Sequence, residues 1–159
     1  MNAMALQDTM LTRRTVLQAM LAPTVPVIIA RPIPAYSQGS NFMKIRISFN
    51  GSDLIATLED NPTARDFASL LPLQGLKIET YGNNEKISYL PRKLTEEGSG
   101  PFGNERPGDL CYFAPWGNLA MFHAGYRWSQ GLIRLGRFEG SIDPLLVRGK
   151  FPLRITPAS

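Results

Sequence analysis

From Met43 onward, apolar and polar residues alternate with a period of two. Ile45, Ile47 and Phe49 fall on one side of an extended chain and Lys44, Arg46 and Ser48 on the other, the pattern of a strand with one buried face. Asn50-Gly51 follows, two residues that tolerate positive φ, and the alternation resumes at Leu54, Ala56 and Leu58. Residues 43–59 therefore predict a β-hairpin.

The period then changes. Asn61 suits an N-cap, where its side chain satisfies a free backbone amide, and Pro62 suits the first helical position. Ala64, Phe67, Ala68 and Leu71 recur at helical spacing until Pro72 stops the run. This predicts a helix of about ten residues whose apolar face covers an opening of the sheet.

Strand patterns return at Leu76 and Ile78, turn at Gly82-Asn83-Asn84 and come back through Ile87, Tyr89 and Leu90. Residues 95–108 hold four glycines and two prolines with almost nothing apolar, which predicts a long surface loop. Asp109–Phe113 and Leu119–Phe122 predict a second hairpin through Ala114–Asn118. Leu132–Leu135 reads as a further strand, Ser141 opens a helical turn containing Asp143 and Pro144, and Phe151, Leu153 and Ile155 close the pattern. About eight short strands with one or two small helices predict a mainly β fold. The expected form is a closed barrel, since an open sheet of this size would leave an unprotected edge.

The leader changes how composition is read. Thr12 to Gln18 reads Thr-Arg-Arg-Thr-Val-Leu-Gln and resembles a twin-arginine export signal. An apolar stretch of 12 residues, Ala19 to Ala30, follows; it is too short for a bilayer, which takes roughly 20. Arg31 and then Ala35-Tyr36-Ser37, small-x-small, complete the order of a cleavable signal. Residues 1–37 are expected to be a signal peptide, 38–42 a short linker and 43–157 the folded domain. The mature protein is then periplasmic or secreted, with no stable insertion in the membrane; were Met43 the true start, it would be cytoplasmic.

The full chain of 159 residues carries 17 basic and 13 acidic side chains, a net +4. The leader holds Arg13, Arg14, Arg31 and Asp8, so the mature domain keeps 14 and 12, near +2, with the charges interspersed. No basic run alternates with aromatics, which argues against nucleic acid. Cys111 is the single cysteine and sits in the apolar run Leu110–Phe113, which predicts a buried thiol and no internal disulfide. With His123 as the single histidine, no usual zinc site can be assembled, and no cofactor motif stands out. Glu96, Glu97 and Glu105 read as solvated loop charges.

Several segments are specific in combination: Asn61–Pro72, Ile87–Leu94 (Ile-Ser-Tyr-Leu-Pro-Arg-Lys-Leu), Gly108–Leu110, Ala114–Ala120 (Ala-Pro-Trp-Gly-Asn-Leu-Ala) and Gly131–Arg137. In this order they resemble the bacterial cyclophilin-like domain family. The resemblance implies an eight-stranded cyclophilin-like barrel closed by helices, though a fold does not by itself confer an activity. It also offers, as an alternative function, an accessory domain of a flavodoxin-like redox system, since such domains can be found joined to flavodoxin-like ones; any flavin would then belong to a partner.

Prolyl isomerisation needs a guanidinium near the prolyl nitrogen and an apolar pocket for the ring, to lower a barrier of about 20 kcal/mol. Cyclophilins carry Ser-Gln-Phe-Phe and Trp-x-x-Gly-x-His-x-x-Phe-Gly; the matching stretches here are Leu119–Phe122 and Arg127–Gly136. Phe122 keeps the pocket aromatic, Ala120 and Leu132 fall where the glutamine and histidine would be, and Arg92 is the candidate arginine. Arg92 and Phe122 are thus the candidate catalytic residues. Tyr89, Arg92, Phe113, Trp116, Asn118, Phe122 and Trp128 are the candidate ligand-binding set. For Phe113 and Phe122, which sit in strands, core packing is the plainer account, while Trp116 lies in a turn where a large aromatic is hard to bury. The expected function is a binding module for a peptide or small ligand, with a weak prolyl isomerase as the enzymatic alternative.

Overall fold

The computed structural model describes residues 42–159; the expected signal peptide and nearly all of the expected linker lie outside the described residues. Eight antiparallel strands form the fold: β1 (Lys44–Phe49), β2 (Ser52–Leu58), β3 (Leu73–Tyr81), β4 (Glu85–Tyr89), β5 (Asp109–Phe113), β6 (Asn118–Phe122), β7 (Leu132–Glu139) and β8 (Lys150–Ala158). Their spatial order is β1-β2-β7-β5-β6-β4-β3-β8, closed by β8 on β1, so every strand is paired on both sides. This is the mainly β, closed eight-stranded barrel that the alternation predicts, with the strand number that the resemblance implies.

The first hairpin forms as expected. Asn50 and Gly51 take φ of 48° and 72°, and the two-residue loop sets Phe49 opposite Ser52. That register turns Ile45, Ile47, Phe49, Leu54, Ala56 and Leu58 inward together, where they join Ile78, Leu110, Tyr112, Leu119, Met121, Leu135 and Ile155 in the interior core.

Two short helices, α1 (Pro62–Ala68) and α2 (Asp143–Leu146), follow β2 and β7. Because those strands run antiparallel, the helices lie at opposite mouths, and Phe67 and Leu145 are buried in the interior cluster from the two ends. Asn61 caps α1 as expected: its Oδ1 accepts from the Ala64 amide at 2.8 Å, while Nδ2 donates to the Arg134 carbonyl at 2.9 Å. The helix is shorter than its apolar spacing suggests and ends at Ala68. Leu71 precedes Pro72, which disfavours helical backbone there, so the chain leaves through tight turns from Ser69.

β7 runs past the expected end at Leu135. A register shift against β5 sets Leu110 opposite Gly136 and Cys111 opposite Arg134, leaving Leu135 as the extra residue of a bulge. Gly136 lies opposite Leu58 of β2, and there the backbones approach so closely that a Cβ would sit 2.9 Å from the Leu58 Cα and overlap the Thr57 carbonyl oxygen.

Candidate functional site

The outward side of β4, β5, β6 and the start of β7 carries a second apolar cluster, separate from the core: Cys111, Ala120, Phe122 and Leu132, with Phe102, Phe113, Tyr126 and Trp128 packed against them. Register arranges this face in rows. Tyr81, Glu85 and Phe122 stand side by side across β3, β4 and β6; Ile87, Ala120 and Cys111 form the next row; Asn118, Phe113 and Leu132 form the third.

Residues 123–131 fold over the face because three polar contacts hold them there. Tyr126 donates from its hydroxyl to the fully buried Asp109 carboxylate at 2.7 Å, the Trp128 amide donates to Glu105 at 3.1 Å, and the Trp128 indole N–H donates to the Leu132 carbonyl at 3.0 Å. Asp109 is held in turn by Arg137 at 2.7 Å and the Arg106 amide at 3.1 Å. Tyr126 lies flat on Phe122, ring centroids 3.6 Å apart. Burial, with Cys111 and Asp109 nearby, pushes the Tyr126 phenol upward, so it remains a donor. Glu105 is therefore an anchor rather than a solvated charge; hydrogen bonds from its own amide and that of Trp128 lower its carboxyl.

Between this loop, the β5–β6 turn and the sheet lies a cleft of about 310 Å³. Phe113, Trp116, Asn118 and Phe122 line it, joined by Tyr81, Glu85 and Tyr126. Trp116 is 48% exposed and bridges two rings edge-on, Tyr81 at 5.4 Å and Phe113 at 5.5 Å. Its turn is held by the Ala114 amide donating to the Gly131 carbonyl at 2.9 Å, with Pro115 packed where a Gly131 side chain would be. Asn118 is 1% exposed; its amide donates to the Leu119 carbonyl at 2.9 Å and its Oδ1 has no partner.

The other residues singled out from sequence lie elsewhere. Tyr89 is 53% exposed beside Asn118 and does not line the cleft. Arg92 grips Asp66 of α1 with two nitrogens, at 2.7 and 3.1 Å, and stands apart from the cleft. Trp128 packs behind the cleft wall in the outer cluster. Ala120 and Leu132 both line the cleft, so the positions matched to the cyclophilin glutamine and histidine present apolar surface there.

Tyr81, Glu85 and Tyr126 were not among the residues read from sequence. Tyr81 and Glu85 flank the Gly82–Asn84 turn, so the register of that hairpin was the available signal. Tyr126 has no local signal, because Asp109 draws it in from 17 positions away.

A shallower hollow of about 560 Å³ lies by the Asn50-Gly51 turn. Its acidic group Asp53 is already matched by Ser48 at 2.6 Å and Arg46 at 3.3 Å, and Arg154 also lines it. The buried Cys111 thiol is pushed up to about 12, chiefly by burial, and stays protonated at neutral pH. His123, lowered by burial and by Lys86 and Arg148, is neutral there.

A family model described as the cyclophilin-like family matches residues 47–156. Among solved structures, the hypothetical protein AF2241 from Archaeoglobus fulgidus, determined in solution, is similar at 18% identity with a TM-score of 0.54. The match covers 74% of this chain and 95% of that one, and at such identity it concerns the fold alone. None of the curated proteins compared with the chain matches it.

Proposed function

The chain belongs to the cyclophilin-like family, and on that premise we propose that it is an exported binding module that holds a small ligand or a short segment of peptide in the cleft of its outer wall. The observation that carries this reading is the cleft itself: about 310 Å³, lined by Phe113, Trp116 and Phe122, with Glu85 and Asn118 among its polar lining residues. Volumes of 300–1,000 Å³ with apolar walls and a few polar groups are typical of ligand sites. A large aromatic left half in solvent at the rim suits an anchor that a ligand covers.

Binding is favoured over prolyl isomerisation because Ala120 and Leu132 offer no donor, and Arg92 spends its guanidinium on Asp66. Catalysis would require a preorganised donor beside the prolyl nitrogen. A proline-peptide isomerisation assay is expected to show the uncatalysed rate. Acceleration that disappears in Phe122→Ala would turn the reading to the enzyme.

Export rests on residues 1–37, whose paired arginines, apolar stretch and small-x-small end agree in order. The mature protein is then periplasmic or secreted, free of the membrane and of nucleic acid. N-terminal sequencing of the protein from fractionated cells is expected to begin at Gln38. A cytosolic protein beginning at Met1 or Met43 would overturn the export reading.

A further inference from the structure

Glu85 stands in the middle of an aromatic row. Tyr81 is its direct partner across β3–β4 and Phe122 its direct partner across β4–β6, and on one face such partners have Cβ atoms about 4.5–5.5 Å apart. The carboxylate is half-buried and, among the described residues, makes no ion pair and no side-chain hydrogen bond. Burial alone raises it; no basic group lies close enough to pull it back down. A desolvated carboxylate without a counterion is costly, so its retention in a cleft calls for a cation from outside.

The remaining polar groups of the cleft add no second negative charge. Asn118 uses its amide N–H on the Leu119 carbonyl, which fixes its orientation and leaves a buried acceptor unsatisfied. The Asn84 amide reaches the Gly125 carbonyl, at 3.4 Å. Arg127 stands at the exposed rim, where its charge acts on Glu105. Glu85 is thus the single carboxylate among the cleft's lining residues, with Arg127 out at the rim and ring faces, which attract cations, forming the walls.

We infer that the cleft is a receptor for a small organic cation bearing N–H donors, an ammonium or guanidinium on an unbranched apolar stem. The charged head meets Glu85 between Tyr81 and Phe122, and the stem lies along Phe113 and Trp116. About 310 Å³ accommodates one lysine-sized stem and head rather than a longer peptide. The inference rests on the binding reading of the same cleft and names its ligand chemistry, which a free amine and a lysine side chain share.

The test uses the full-length chain and four probes: n-pentylammonium, 1-pentanol, pentanoate and the peptide Gly-Lys-Gly. The two tryptophan indole N–H resonances report binding separately. Trp116 is expected to shift while Trp128, bonded to the Leu132 carbonyl, stays still. Pentylammonium is expected to bind about tenfold more tightly than pentanol, the scale of one charge-assisted hydrogen bond, with pentanoate weakest. Glu85→Gln should bring pentylammonium down to the level of pentanol, and Arg127→Ala should tighten it. Comparison of Gly-Lys-Gly with pentylammonium assigns the cation to a peptide or to a free amine. Equal affinity for pentanol and pentylammonium, or no effect of Glu85→Gln in a variant with the wild-type circular dichroism spectrum, overturns the cation inference and leaves binding intact. If no probe moves the Trp116 resonance, the binding reading fails with it.

Discussion

Glu85 costs the fold stability in the absence of a ligand. Burial holds its carboxyl above the ordinary value near 4.5, so the folded chain binds that proton more tightly than the unfolded chain does. The cost is present above the raised value, at neutral pH, and vanishes as pH falls below 4.5, where both states are protonated. Glu85→Gln is therefore expected to stabilise the protein at pH 7 and to be neutral near pH 3.5, as read from urea midpoints. An equal gain at both values would assign it to packing instead of charge. Arg92 shows the opposite relation between sequence and role. Its motif Leu90-Pro91-Arg92 singles it out, yet it fastens the loop after β4 to α1, aided by the Thr95 amide on the same Asp66 at 2.7 Å. Nothing local tells a binding arginine from a fastening one, because the distinction lies in Asp66, 26 positions away.

At the level of elements, what was legible is what short-range geometry controls. Asn50-Gly51 announced the first hairpin, and Asn61-Pro62 announced the start of α1, because turns and caps are settled within four residues. Phe113, Asn118 and Phe122 could be assigned to a hairpin from the apolar runs Leu110–Phe113 and Leu119–Phe122 about a turn, but those runs do not alternate, so the face each side chain takes was not legible. The continuation of β7 was not. The bulge at Leu135 breaks the two-residue period, and Gly136 reads as a stop although it is the point of closest approach between β2 and β7. Gly136→Ala is expected to destabilise the protein by about 3 kcal/mol or more, since backbone on the partner strand cannot yield as a flexible side chain would. Thermal or urea unfolding checks this; a loss within ~0.5 kcal/mol would mean that β2 moves aside freely.

For the whole molecule, closure was inferred from strand number and the cost of bare edges, and the observed order agrees: β8 pairs with β1 from Lys44–Ala158 to Phe49–Leu153. The order of strands around the barrel is a long-range property that alternation cannot supply. It decides that β4, β5 and β6 lie together, and hence that Tyr81, Glu85 and Trp116 share one cleft. Along those strands, cleft residues and core residues take turns: Ala120 and Phe122 face outward while Leu119 and Met121 face inward. Taste and skeleton are thus written in alternate letters of the same words. A substitution at the outward Ala120 or Phe122 therefore reshapes the cleft while the inward Leu119 and Met121 keep the cylinder filled.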